Sequence, residues 1–332
     1  MLKRTVTGII LIAFLAGFMV CGYFVSPIFV DMLILIFLAG AVYEMRKCLK
    51  DVGYDMYISP SVVSLVCAYP VFYLMQHFVG GGERSVSAGI QGLLIVFLVS
   101  FMLCLSIFTF RPLMRKKNDV QQDSDGENEI QSGEPEIKKG NINDLLANIF
   151  VIVYPMMFMS VAWVIGYKYS AIFAVLFAVV VPIIGSDMFA YFLGSLIGGK
   201  KLCPSISPKK TVAGAVGGLL GGMVMAILFW VVFEYVGSLA PKFAEGCGYI
   251  PFISHADGGW MWKSALIYLA IGLVCGAVSE IGDLAASSIK RAIGIKDYGK
   301  IFPGHGGFMD RIDSVMYCLV VLLIAFSCIY GY

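Results

Sequence analysis

Charged residues are scarce in this chain. Its 24 Lys and Arg and 22 Asp and Glu make up 14% of 332 residues, where an ordinary soluble domain carries roughly 25%. With 59% hydrophobic residues and a mean hydropathy of +0.85, that scarcity excludes a soluble globule. The formal net charge of +2 is too small for a nucleic-acid footprint, and the basic residues gather in a few loops rather than along a stripe. Only three histidines occur, and there is no CxxC or Cys/His cluster on which a zinc or redox centre would rest. Of the nine cysteines, Cys21, Cys67, Cys104, Cys275, Cys318 and Cys328 lie inside apolar runs and read as packing residues.

What the chain has instead is length of apolar run. A bilayer core needs about 20 apolar residues per helix, because lipid offers exposed backbone groups no partners. Runs of that kind cover 7–25, 27–45, 59–79, 88–110, 145–166, 169–185, 211–236, 262–281 and 314–330, predicting an all-α polytopic membrane protein of nine spans. Residues 187–199 are also apolar but short and broken by glycine, so they are expected to form an interfacial or re-entrant segment that does not cross. Lys3 and Arg4 before the first run imitate a signal peptide, but the length of the run and the absence of a small-residue cleavage site predict a retained span. The loops carrying Arg46, Lys47 and Lys50, then Arg111 to Lys139, then Lys200 to Lys210, then Lys290 to Arg311 fall on one side of a nine-span chain. By the positive-inside rule that side is the cytoplasm.

Composition divides the chain into N-terminal helices (1–110), a polar linker (111–143) and a C-terminal membrane domain (144–332). The linker is rich in Asp, Glu, Gln, Ser, Gly and Lys, with almost nothing to bury, and is expected to be disordered on the cytoplasmic side. The outer loop 237–263 carries Trp260 and Trp262 near a predicted interface and is given no chemistry; His77 and His255 lie near the same face and read as incidental.

The polar residues with chemical potential stand at the cytoplasmic rim. Glu280, Asp283, Ser287 and Lys290 are spaced three, four and three apart, so a helix running on past the eighth span puts them on one face. Alone, they are read equally well as a solvated helix end. Lys296-Asp297, Pro303-Gly304-His305-Gly306-Gly307 and Asp310-Arg311-Ile312-Asp313 then lead into the last span. Glycines let backbone N–H groups approach phosphate oxygens, although Asp310 and Asp313 at a helix start also suit capping. His305 is placed either to donate to a phosphate or to brace its loop.

Taken together, Ser287, Lys290-Arg291, Lys296-Asp297, Gly299, Phe302-Pro303, His305-Gly306-Gly307, Asp310-Arg311 and Asp313 resemble the signature of the CTP:phosphatidate cytidylyltransferases. A second block, Asp187, Ala190-Tyr191, Gly194, Gly198 and Ser207-Pro208-Lys209-Lys210-Thr211, is similar to that family's other cytoplasmic motif. It departs from the pattern at Ser195, where arginine is common, and at Ala213, where glutamate or glutamine is common.

The resemblance covers the C-terminal half and implies a transferase that joins CTP and phosphatidate into CDP-diacylglycerol and pyrophosphate. It further implies Mg²⁺, with room for a second cation, and a homodimer in the bilayer, in a bacterial inner membrane given the short form. Asp283 and Asp310 are the expected first ligands of the metal, with Asp187 and Asp313 behind them; Lys290, Arg291 and Arg311 are expected to act on the reacting phosphates. Ser207, Lys209, Lys210, Thr211, Ser287, Lys296, His305, Gly306 and Gly307 are expected to bind substrate. Two other readings remain at this point: a CTP-dependent polyprenol-type lipid kinase, and an ion-coupled transporter, against which the acids lie at one rim rather than at mid-membrane.

Overall fold

The structure, a computed structural model, describes residues 2–79, 86–123, 141–242, 249–256, 258–304 and 306–330. His305 and most of the expected linker, 124–140, lie outside the described residues. Each apolar run satisfies its own backbone as a helix, the arrangement that a hydrocarbon environment favours. We number the helices α1 (Leu2–Phe24), α2 (Ile28–Asp51), α3 (Ile58–Phe78), α4 (Val86–Asp123), α5 (Ile142–Lys168), α6 (Ile172–Ile197), α7 (Val212–Leu239), α8 (Trp260–Ala292) and α9 (Met309–Tyr330). Among the described residues these nine are long and apolar enough to cross a membrane, and the protein is an integral multi-pass membrane protein. A two-stranded antiparallel hairpin, β1 (Lys201–Cys203) and β2 (Ser207–Thr211), precedes α7.

One expected element is not formed as such. Residues 188–197 are not a separate re-entrant piece; they continue α6, which passes through a π-helical turn at Val181–Asp187 and ends only at Gly198. A π-turn accommodates one extra residue without breaking the hydrogen-bond ladder, so Gly185 and Gly194 do not stop the helix. Gly198 and Gly199 do, with φ of 65° and 89°. Helix α4 runs to Asp123, into the stretch expected as linker.

The chain forms two compact units, Met1–Glu44 with Met157–Tyr332, and Met45–Met156. In the second, α3 packs on α4 with Ser64 Oγ donating to Ser100 Oγ at 2.6 Å. There Asn148 ties the start of α5 to the turn before α3, accepting from Tyr57 N at 2.6 Å and donating to Asp55 O at 2.9 Å.

In the first unit α7 lies between α6 and α8, and α9 packs on α8. Backbones touch because glycine faces glycine: a Cβ at Gly222 would stand 2.6 Å from the Gly272 carbonyl oxygen, and one at Gly221 would overlap that of Gly185. More than twenty residues along α7 from the hairpin, buried Glu234 accepts from Tyr249 Oη at 2.6 Å and Phe252 N at 3.0 Å, and its Oε2 lies 3.1 Å from His255 Nε2. His255 is therefore not incidental: it helps pin residues 249–256 of the outer loop to α7.

Candidate active site

The hairpin exists to turn the chain between α6 and α7, and its second strand ends at a cap. Thr211 Oγ1 accepts from Gly214 N at 3.0 Å, which starts α7 and gives this expected substrate contact a structural task. In β2 Lys209 is exposed while Lys210 is half-buried, its Nζ 2.5 Å from Glu280 Oε2 and 2.8 Å from Asp283 Oδ2. Burial acts to lower the Lys210 pKa, but the Asp283 and Glu280 carboxylates outweigh it and hold the ammonium above the ordinary lysine range.

Helix α8 extends to Ala292, so Glu280, Asp283, Ser287 and Lys290 do share a face. Lys290, 8% exposed, leaves that face for α9: its Nζ donates to Asp310 Oδ1 at 2.9 Å and lies 5.3 Å from the centre of the Tyr298 ring. Asp310 Oδ2 accepts from Tyr298 N and from Gly307 N, each at 3.0 Å. One carboxylate thus closes the loop between α8 and α9 from three directions, and the ends of the two helices meet.

Asp187 and Asp313 complete the cluster. Asp187 has Asp283, Asp313, Lys210 and Glu280 as its charged neighbours, and Asp313 has Asp283, Lys290 and Asp310. Asp313 is buried and accepts from Ser314 N at 2.8 Å. Other expected residues sit apart. Lys296 is exposed; Arg291 is exposed and braces the hairpin, donating to Ile206 O at 3.4 Å and to Ile295 O at 3.3 Å. Arg311 Nε is buried without a hydrogen-bond partner, and Ser207 and Ser287 are half-buried near the cluster's lysines in sequence. His305 lies outside the described residues, while Gly306, at φ 80°, lends its carbonyl to Phe302 N at 2.9 Å.

The donor set is all oxygen, which suits a hard divalent cation. Five carboxyl groups (Asp187, Glu280, Asp283, Asp310, Asp313) meet two lysines (Lys210, Lys290), so the acids outnumber the ammoniums, and Glu280 Oε1 is buried with no partner. No three acidic, His or Cys side chains among the described residues converge as a ligand set; Asp283 is paired with Lys210 and Asp310 with Lys290.

Two residues that sequence reasoning passed over belong here. Tyr298 supplies an N–H to Asp310 and a ring beneath Lys290, and Glu44 of α2 reaches the same loop. The one signal for Glu44 was weak, an acid one residue inside the end of an apolar run and beside a basic group.

The profile of the cytidylyltransferase family matches residues 2–329. A phosphatidate cytidylyltransferase of Mycobacterium leprae (strain TN) is 27% identical over 317 residues, 93% of this chain and 85% of the relative. That of Bacillus subtilis (strain 168) is 37% identical over 155 residues, 46% of this chain and 48% of the relative. That of Brucella suis biovar 1 (strain 1330) is 38% identical over 146 residues, and the match spans less than half of either chain, 44% of each. With a profile that runs nearly end to end over these helices and this polar rim, the chain belongs to the cytidylyltransferase family.

Proposed function

We propose that the protein is a CTP:phosphatidate cytidylyltransferase, converting CTP and phosphatidate into CDP-diacylglycerol and pyrophosphate. The observation that carries this reading is the pairing of inward lysines with an excess of carboxylates, Lys210 with Glu280 and Asp283 and Lys290 with Asp310, at one end of three closely packed helices. In the reaction an oxygen of the lipid phosphate forms a bond to the α-phosphorus of CTP as the bond to the bridging oxygen breaks, and pyrophosphate departs with that electron pair. A phosphate monoester with a second pKa near 6 is largely dianionic at neutral pH, so no general base is required of the chain.

The work left to the protein is to hold two anions together and to favour the departing one. In this reading Lys210 and Lys290 bind phosphate oxygens by exchanging a carboxylate partner for a phosphate, and Arg311, whose Nε is buried without a hydrogen-bond partner, adds a third cation. Asp283, Asp310, Asp187 and Asp313 are the residues that would hold Mg²⁺. Such a cation, when bound, supplies charge neutralisation at the triphosphate. The rim faces the cytoplasm in this reading, where CTP is available.

The test is to incubate purified protein with radiolabelled CTP, phosphatidate and Mg²⁺ and to extract the lipids. Label in CDP-diacylglycerol with release of pyrophosphate is expected. A phosphorylated lipid with release of CDP would instead establish the kinase reading, and no labelled product from folded protein would overturn both.

A further inference from the structure

Glu44 is an acid that nothing in the transfer reaction itself requires. It lies in α2, 2% exposed, within an otherwise apolar turn that includes Ala41, Val42 and Met45, where an unpaired carboxylate is costly. Its Oε2 accepts from Met309 N at 3.0 Å, at the first residue of α9. Its Oε1 is buried without a hydrogen-bond partner. The carboxylate occupies the space left by two glycines of the loop: a Cβ at either Gly299 or Gly307 would collide with it. Neither glycine has a positive φ, so the backbone there would accept alanine, and the carboxylate is the obstacle. Nearby, the Phe308 ring fills the space above Gly40, one turn earlier on α2, and Thr7 Oγ1 of α1 donates to Pro303 O at 3.2 Å.

We propose that Glu44 is a positioning residue for the transfer reaction, a mould around which residues 296–309 set so that Asp310 and Lys290 meet. The two carboxylates divide the loop's N–H groups. Glu44 takes that of Met309, and Asp310 takes those of Gly307 and Tyr298. Remove the mould and Gly307 and Met309 are released together, and with them the groups that fix Asp310. Gly299 and Gly307 are then glycines because Glu44 is there, and not chiefly because phosphate must approach their backbone.

The inference rests on the proposed cytidylyl transfer for its kinetic readout, so it is tested with a second readout that does not. In the assay above, Glu44→Ala is expected to lower kcat by about 10- to 100-fold, the range for lost outer support or an ångström-scale misplacement, with KM for CTP moving far less. Glu44→Gln, which keeps the volume and one acceptor oxygen, is expected to recover most of that loss.

Independently of activity, thermal unfolding of purified Gly299→Ala, Glu44→Ala and the double variant forms a cycle. Gly299→Ala should lower the midpoint in the presence of Glu44 and have little effect in its absence. If Glu44→Ala yields no folded protein, Glu44→Asp, which withdraws the carboxylate by one methylene, takes its place. Equal damage from Gly299→Ala on both backgrounds overturns the contact, and a folded Glu44→Ala enzyme with unchanged kcat overturns the positioning role. A wild type that makes no CDP-diacylglycerol overturns the proposed reaction while leaving the cycle readable.

Discussion

Asp283 and Asp310 are held differently, and that difference shapes what their loss should do. Asp283 has one cation, Lys210, whereas Asp310 has Lys290 and two backbone donors. Asparagine keeps the shape and one acceptor at either position but removes the charge. Each substitution is expected to reduce turnover on the order of 100-fold or more, with Asp313→Asn milder and Glu280→Gln milder still. Mg²⁺ titrations of the folded variants check this: an unaltered requirement at near-normal rate would leave both aspartates as structural groups only.

Lys210 adds a pH test. Its pKa is raised in the folded state, so its stabilising contribution is complete below the ordinary lysine value of about 10.4 and is lost only as pH climbs through the higher folded value. The difference in thermal midpoint between wild type and Lys210→Met should therefore stay constant from about pH 7 to about pH 10. A gap that closes within that interval would mean that the folded ammonium loses its proton below the ordinary lysine value, the opposite of the direction expected here. At this scale the spacing of Glu280, Asp283, Ser287 and Lys290 was legible, since a helix imposes it. That Lys290 leaves its own face for Asp310, and that Thr211 is a cap, were not, because both depend on where a neighbouring strand or helix arrives.

The helices themselves were largely legible, since hydropathy alone marks nine apolar runs and lipid leaves them one conformation. The continuity of α6 was hidden. Gly185, Gly194 and Gly198 look alike as helix breakers, yet only Gly198 adopts a positive φ, and a π-turn carries the helix past the first. Glu44 was hidden for a related reason: beside Arg46, Lys47 and Lys50 it looks like the charged end of a span, and its partner Met309 is visible only once α2 and α9 are packed. Helix α4 continues to Asp123, and residues 124–133 beyond it carry Asp, Glu, Gln and Ser with a single isoleucine to bury. Deleting 124–133 is expected to leave CDP-diacylglycerol synthesis within about 2-fold of wild type, because shortening a polar connection costs little while its ends still meet. Lost activity in a deletion variant that still inserts and folds would assign the segment a part in binding or control.

For the molecule as a whole, the positive-inside rule predicts from the basic loops that the polar rim faces the cytoplasm. Lys300 and Lys242 are both exposed, at opposite ends of the predicted topology. Cysteine at Lys300 should resist a membrane-impermeant thiol reagent in intact cells, and cysteine at Lys242 should react; the reverse pattern would invert the assignment. The unit that carries the rim is built from both ends of the sequence, Met1–Glu44 with Met157–Tyr332. That has a consequence for biogenesis. Glu44 and its donor Met309 are 265 residues apart, so at about 5–20 residues per second a nascent chain holds an orphan acid in its second helix for roughly 13–53 s. Throughout that interval the carboxylate lacks the backbone donor that it has in the finished fold, an exposed lesion of the kind that protein quality control can recognise. A chain stopped at Gly294 never receives the donor and should be degraded quickly in a pulse-chase, and Glu44→Ala in the same truncated chain should lengthen its half-life. Equal half-lives would mean that the carboxylate finds another shelter while the rest of the protein is being made.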